Sequence, residues 1–153
     1  MDKRELKIDY FVYQNDLPFE YLELCDRAKQ AASNAYSIYS GFSVGAAVLL
    51  ENGEIISGNN QENVAYPSGL CAERTALFYA TSQYPDIKIN AIALVAFDHG
   101  HMCQKPVSPC GACRQVMVEI IKRFGNDFEV IMIGGEQTYL IKASCLLPFA
   151  FEM

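Results

Sequence analysis

The sequence predicts an α/β fold, a three-layer α/β/α sandwich around a mixed five-stranded central sheet. Three observations carry this. Segments with apolar residues at three- and four-residue spacing alternate along the chain with short apolar runs; the run INAIALVAF is too uniformly apolar to have a wet face; and two other runs flank the tight-turn dipeptide Asn52-Gly53. At 153 residues the chain can bury about two-thirds of the surface it would expose unfolded, so one domain over residues 1–153 needs no covalent staples.

The elements follow in order. Asp16 is suited to an N-cap, Pro18 to a first helical turn, and Tyr21, Cys25, Ala28, Ala32, Ala35 and Tyr36 then share a face, so a first helix is expected from Asp16 until YSIYSGFS ends it. SVGAAVLL and EIISGN read as a hairpin across ENG, because Asn-Gly accepts the positive φ values of a tight turn. A second helix is expected from Cys71 to about Ser82, with Ala72, Ala76, Leu77 and Ala80 on one side; YPD closes it before the buried strand INAIALVAF. A third opens near Cys110 or Gly111, carries Val116, Met117, Ile120, Ile121 and Phe124 inward, and stops at Gly125 behind Lys122 and Arg123. FEVIMI and TYLI supply two more strands and ASCLLPF a short terminal helix. Residues 1–16 have apolar Ile8, Tyr10 and Val12 at alternate positions, a pattern that fits either an extra edge strand or a subunit contact.

Composition narrows the function. A formal charge of −6 argues against nucleic acid as a partner, since phosphate binding needs clustered Lys and Arg. No segment has the length and apolarity of a membrane span or of a signal peptide's core, so a cytoplasmic protein is expected. In a reducing compartment the six cysteines point to metal binding or catalysis rather than to disulfides.

The chemistry concentrates in two stretches, NQENVAYPSGLCAERT and SPCGACRQ. Cys110 and Cys113 are one helical turn apart at the start of the third helix, and Cys71 opens the second. Helix starts favour thiolates, and a sulfur-rich, non-redox site is suited to Zn²⁺, here one per chain. Three protein ligands leave a fourth tetrahedral position for water, the feature that separates catalytic from structural zinc. Glu73, two residues after a ligand, is placed to exchange protons with that water as general base and acid without being a ligand. Arg74, more than Arg114, is positioned to offset the charge of the thiolates. Two other readings compete. CGAC alone also fits a redox dithiol, which would leave Cys71 and Glu73 without a role; a structural zinc could draw a fourth ligand from His99, His101 or Cys103. Cys25 and Cys145 read as small buried hydrophobes.

CAE followed by PCGAC resembles the zinc-dependent nucleobase and nucleoside deaminases, a signature already described for that superfamily. FSVGAAVLLENGEIISGNNQENVAYPSGLCAERTA, SPCGACRQVM and LLPFAF are similar, over roughly residues 17–153, to the homotetrameric cytidine deaminases. The resemblance implies a cytidine deaminase-like fold and deamination of cytidine and 2′-deoxycytidine by a zinc-bound hydroxide attacking C4, with Glu73 as proton shuttle and Cys71, Cys110 and Cys113 holding the metal. It also implies that Asn60 and Glu62 bind the sugar 3′-hydroxyl, that the Ala72 N–H meets the base carbonyl, and that Phe42 packs on the base. Phe151 would stack on a base held by a neighbouring subunit, and Ala65 and Tyr66 would approach the neighbour's sugar. A different cytosine-bearing small molecule is the related alternative, and a structural-zinc interaction module the non-enzymatic one. Gln61 stands where this family more often has an aliphatic residue, leaving both presumed sugar ligands in place.

Overall fold

The structure, a computed structural model, describes residues 1–14 and 16–153. In chain order its elements are β1 (Phe11–Tyr13), α1 (Leu22–Ala32), β2 (Phe42–Leu50), β3 (Ile55–Asn59), α2 (Ala72–Gln83), β4 (Ile89–Asp98), β5 (His101–Met102), α3 (Gly111–Phe124), β6 (Glu129–Ile133) and β7 (Thr138–Lys142), with a final 3₁₀ turn over Ala143–Leu146. The sheet has seven strands in the order β1-β7-β6-β4-β2-β3, with β5 paired to the end of β4. It is mixed: β4 runs parallel to β6 and antiparallel to β2.

The five strands expected from the sequence are all present, and the two extra ones have identifiable origins. β1 comes from the N-terminal segment, which pairs antiparallel with β7 through Phe11–Leu140, Val12–Tyr139 and Tyr13–Thr138. Tyr10 adds an edge-to-face contact with Tyr139 at 5.3 Å between ring centres. β5 is two residues long, too short to produce a periodic signal. Of the two readings offered for the N-terminal segment, residues 11–13 adopt the edge strand.

Alternation along the strands sends residues to two separate cores. Ala46, Val48, Ile92, Leu94 and Val130 pack under α2 and α3, with Leu77 and Met117. Ala47, Ala91, Ala93, Val95 and Ile131 pack under α1, with Leu24, Cys25 and Ala28. The sheet is therefore covered on both faces, as the apolar run in β4 requires.

Two glycines set the helix-to-sheet spacing. A Cβ at Gly45 would lie 2.0 Å from the Ala28 carbonyl oxygen, so α1 rests directly on the β2 backbone. A Cβ at Gly58 would lie 2.6 Å from the Ala76 nitrogen, so α2 also approaches the β3 backbone closely, on the opposite face. The alanines of both helices belong to the same close approach.

Several boundaries differ from expectation. The α-helix begins at Leu22, behind a 3₁₀ turn over Phe19–Tyr21, and Asp16 caps nothing there. Pro18 has φ −51° and ψ 135° and is extended, and a residue before proline is itself steered away from helix, which delays the start. Ala35 and Tyr36 lie beyond the end of α1, and Tyr36 instead bridges to Gln61. In the hairpin turn only Gly53 has positive φ, at 88°; the Asn52 carboxamide oxygen accepts the Glu54 N–H instead. The terminal helix is a single 3₁₀ turn. α2 and α3 keep their expected extents, and Gly125 closes α3 at φ 62°.

Candidate active site

The starts of α2 and α3 converge. Cys71 occupies the N-cap of α2, Cys110 the N-cap of α3, and Cys113 the first turn of α3. Their sulfurs lie 3.7 Å apart for Cys71–Cys110 and 3.4 Å for Cys110–Cys113, and all three ligand atoms fall within 4.8 Å of one another. Tetrahedral zinc with Zn–S bonds near 2.3 Å places its sulfurs about 3.8 Å apart, so the cluster already has the dimensions of a zinc site. Among the described residues, no other Cys, His, Asp or Glu joins it. His99, His101 and Cys103 are in the β4–β5 arm, outside the cluster, and the fourth ligand that a structural zinc would need does not come from them.

The charge distribution also calls for a cation. Cys71 is drawn down to about 5 by hydrogen bonding with Cys113, against the cost of burial, and by the Arg74 guanidinium, whose Nη2 lies 3.5 Å from its sulfur. Cys113 is pushed up by the neighbouring Cys71 sulfur and by burial. The thiolate is thus favoured at Cys71 and opposed at Cys113. Three coexisting thiolates require positive charge among them, which a divalent ion provides. Arg74 is the arginine that reaches the sulfurs; Arg114 donates instead to the Pro109 and Leu146 carbonyl oxygens, at 2.8 and 3.0 Å, bracing the loop ahead of Cys110.

Glu73 lies in the first turn of α2, 5% exposed, the one buried acidic or basic side chain among the described residues. Burial raises its pKa above the ordinary carboxyl value, and the Cys71 charge adds to the shift. A carboxyl poised upward in this way suits proton transfer near neutral pH. Beside it opens a cavity of about 330 Å³ bordered by Cys71, Ala72, Cys110, Phe42, Asn60 and Glu62. Ala72 is the first residue of α2, so its N–H belongs to the group that has no partner within the helix.

At the far end of the cavity the polar groups are already engaged. The Asn60 carboxamide donates to the Phe42 carbonyl at 2.9 Å and accepts from the Val44 N–H at 2.7 Å. The Glu62 carboxylate accepts from the Ser40 hydroxyl, from the Tyr39 N–H at 2.9 Å and from the Ser40 N–H at 3.3 Å. These bonds, the Ser40 hydroxyl first, hold its pKa below the usual carboxylate value. Not every expected site residue is brought to the cavity. Phe151 and Ala65 are exposed and do not border it; Tyr66, 77% exposed, borders an adjoining cavity of about 470 Å³ that also reaches Arg74. Sequence reasoning missed Ser40, Val44, Leu94, Val107 and Ser108, which border the cavity beside Glu73. Ser108 stands two residues before Cys110, a signal that could have found it; no periodic signal marks Ser40.

Comparison with known proteins agrees with this arrangement. Residues 20–124 match the family described as the cytidine and deoxycytidylate deaminase zinc-binding region. The chain belongs to that family. Among its relatives, a cytidine deaminase of Halalkalibacterium halodurans is 50% identical over 84% of this chain and 91% of its own length. One from Sporosarcina psychrophila is 50% identical over 85% and 90%. The crystal structure of cytidine deaminase from Burkholderia pseudomallei superposes with a TM-score of 0.73 at 41% identity, covering 84% of this chain and 97% of that one. That from Mycobacterium tuberculosis gives 0.68 at 33%, covering 89% and 100%. Three thiols converging at two helix starts fit the zinc-binding region by which that family is described.

Proposed function

We propose that this deaminase hydrolyses cytidine and 2′-deoxycytidine to uridine and 2′-deoxyuridine, releasing ammonia, in pyrimidine salvage in the cytoplasm. The observation that carries the reading is the buried Glu73 carboxyl at the same helix start as the Cys71 thiol, both bordering one cavity. Cys71, Cys110 and Cys113 would hold one zinc ion, which when bound would supply the Lewis acidity that makes a water more acidic. Glu73 would carry one proton of the attacking water to N3 of the base and the other to the departing amine. The water oxygen becomes the C4 carbonyl, the C4–N bond breaks, ammonia leaves with one water proton, and the other stays on N3 of uridine. Glu73 finishes as it began, as a general acid–base group must.

The Ala72 N–H is placed for the base carbonyl, and Phe42, half-buried at the start of β2, for the face of the ring. Asn60 retains one N–H and Glu62 one acceptor position after their bonds within the chain are counted, which together suit a single sugar hydroxyl. Remote binding of that kind positions C4 for attack. Exposed Phe151 and Tyr66, at 73% and 77%, fit the role of completing a neighbour's site in a homotetramer. Among the described residues no helix is long and apolar enough to cross a membrane.

The test pairs metal analysis with a spectrophotometric assay. About one zinc per chain, with uridine and ammonia formed from cytidine, is the expected result; a zinc-loaded protein inert on cytidine, deoxycytidine and cytosine would overturn the reading.

A further inference from the structure

Ser40 is an exposed serine in the loop between α1 and β2, and its hydroxyl is used twice. It donates to the Glu62 carboxylate and accepts the Phe42 N–H at 3.0 Å. Its backbone N–H, with that of Tyr39, closes on the other Glu62 oxygen. Both cavities that meet at Glu62 are bordered by Ser40. One hydroxyl therefore joins the group proposed to bind the sugar to the residue proposed to pack on the base.

From this geometry we infer that Ser40 is a positioning residue for substrate selection: it aims the remaining acceptor site of Glu62 at the sugar 3′-hydroxyl and locks that aim to Phe42. A carboxylate offers about four acceptor positions, and three are filled here by neighbours from a single loop. The direction of the last is thereby fixed. A serine has one proton to give, and Ser40 gives it to Glu62, so the Phe42 N–H must meet an oxygen lone pair. The two bonds thus have one polarity and are formed together. The downward pKa shift of Glu62, caused first by the Ser40 hydroxyl, agrees with a carboxylate held ionised and oriented. The inference rests on Glu62 as sugar ligand, and the experiment tests the two separately.

The zinc-loaded protein and its Ser40→Ala, Ser40→Thr and Glu62→Ala variants are assayed on cytidine and 3′-deoxycytidine, and the ratio of kcat/KM between the substrates is compared. Hydrogen bonds to charged groups correspond to about 10-fold to 100-fold in equilibrium terms. The expected result is a ratio reduced about 10-fold in Ser40→Ala, chiefly through KM for cytidine. Ser40→Thr, which keeps donor and acceptor, retains the wild-type ratio, and Glu62→Ala loses most of it. Melting temperatures of the Ser40 variants within about 2 °C of wild type accompany that result. A collapsed ratio in Glu62→Ala with an unchanged ratio in Ser40→Ala overturns the role of Ser40 and leaves the sugar reading standing. Equal loss on both substrates in Glu62→Ala overturns the sugar reading and the inference with it.

Discussion

The two ends of the catalytic cavity are built on opposite principles. At the end formed by the two helix starts, Cys113, Ala72 and the Glu73 carboxyl are buried in close packing, with Cys71 half-buried and Cys110 exposed beside them. At the end proposed to bind the sugar, half-buried Asn60 and Glu62 and exposed Ser40 are held by hydrogen bonds to the start of β2 and within the loop before it. Burial is what raises the pKa of Glu73, and hydrogen bonding is what lowers that of Glu62. One protein thus drives two carboxylates in opposite directions by different means, one toward proton transfer and one toward a fixed negative acceptor.

Substitutions should separate the ends. The largest effect is expected for Glu73→Gln, with kcat on cytidine falling by about 10³-fold or more while zinc content and melting temperature are kept. Activity within tenfold of wild type would remove Glu73 from the chemistry. Next comes Cys110→Ser: zinc affinity, measured by competition with a chromogenic chelator, should drop more than about 100-fold and activity should fall with it. Full activity without zinc would count against the metal assignment. Asn60→Ala strips the Val44 N–H and Phe42 carbonyl of their side-chain partners, so a stability loss of about 1–3 kcal/mol is expected in urea unfolding, with zinc binding intact. A loss of zinc in that variant would show that the ends are not separate.

The smallest effect is in pH dependence. Because the folded pKa of Glu62 lies below its ordinary value of 4.5, its ionised, hydrogen-bonded form is fully present above that value and is lost only as pH falls through the lower folded one. KM for cytidine should therefore stay flat from neutrality to about pH 5, whereas in Ser40→Ala the acid rise should begin earlier, reaching about 1.3-fold in KM at pH 5 for a carboxyl returned to its ordinary value. Identical profiles would separate Ser40 from the ionisation of Glu62.

How legible these regions were follows the same division. α3 carries a strong periodic face and Gly125 at its end, α2 a row of buried small residues closed by YPD, and each has a thiol at its N-cap, so their extents could be read directly from the sequence. That placed Cys71, Glu73, Cys110 and Cys113 in first turns, and the fold brings those turns together. The recognition end lies in loops, where side-chain hydrogen bonding leaves no period. Asn60 and Glu62 stood out through a family resemblance, and nothing in YSGFS singled out Ser40. The same limit explains the sheet: β4 announced itself by length and apolarity, while β1 and β5, with three and two residues, form only because a longer neighbour offers an edge. Pro18 misled because it can open a helix but here stays extended.

Cys71 and Cys110 stand 39 positions apart in the chain, and the segment between them includes all of α2 and β4. A metal held by both acts as a clasp on that segment, because ions bound only by the assembled ligand set add their binding energy to folding. Nutrition then enters the life of the protein. Cells short of zinc would hold fewer closed copies, exposing the remainder to proteolysis, so that trace-metal supply would govern abundance as well as turnover.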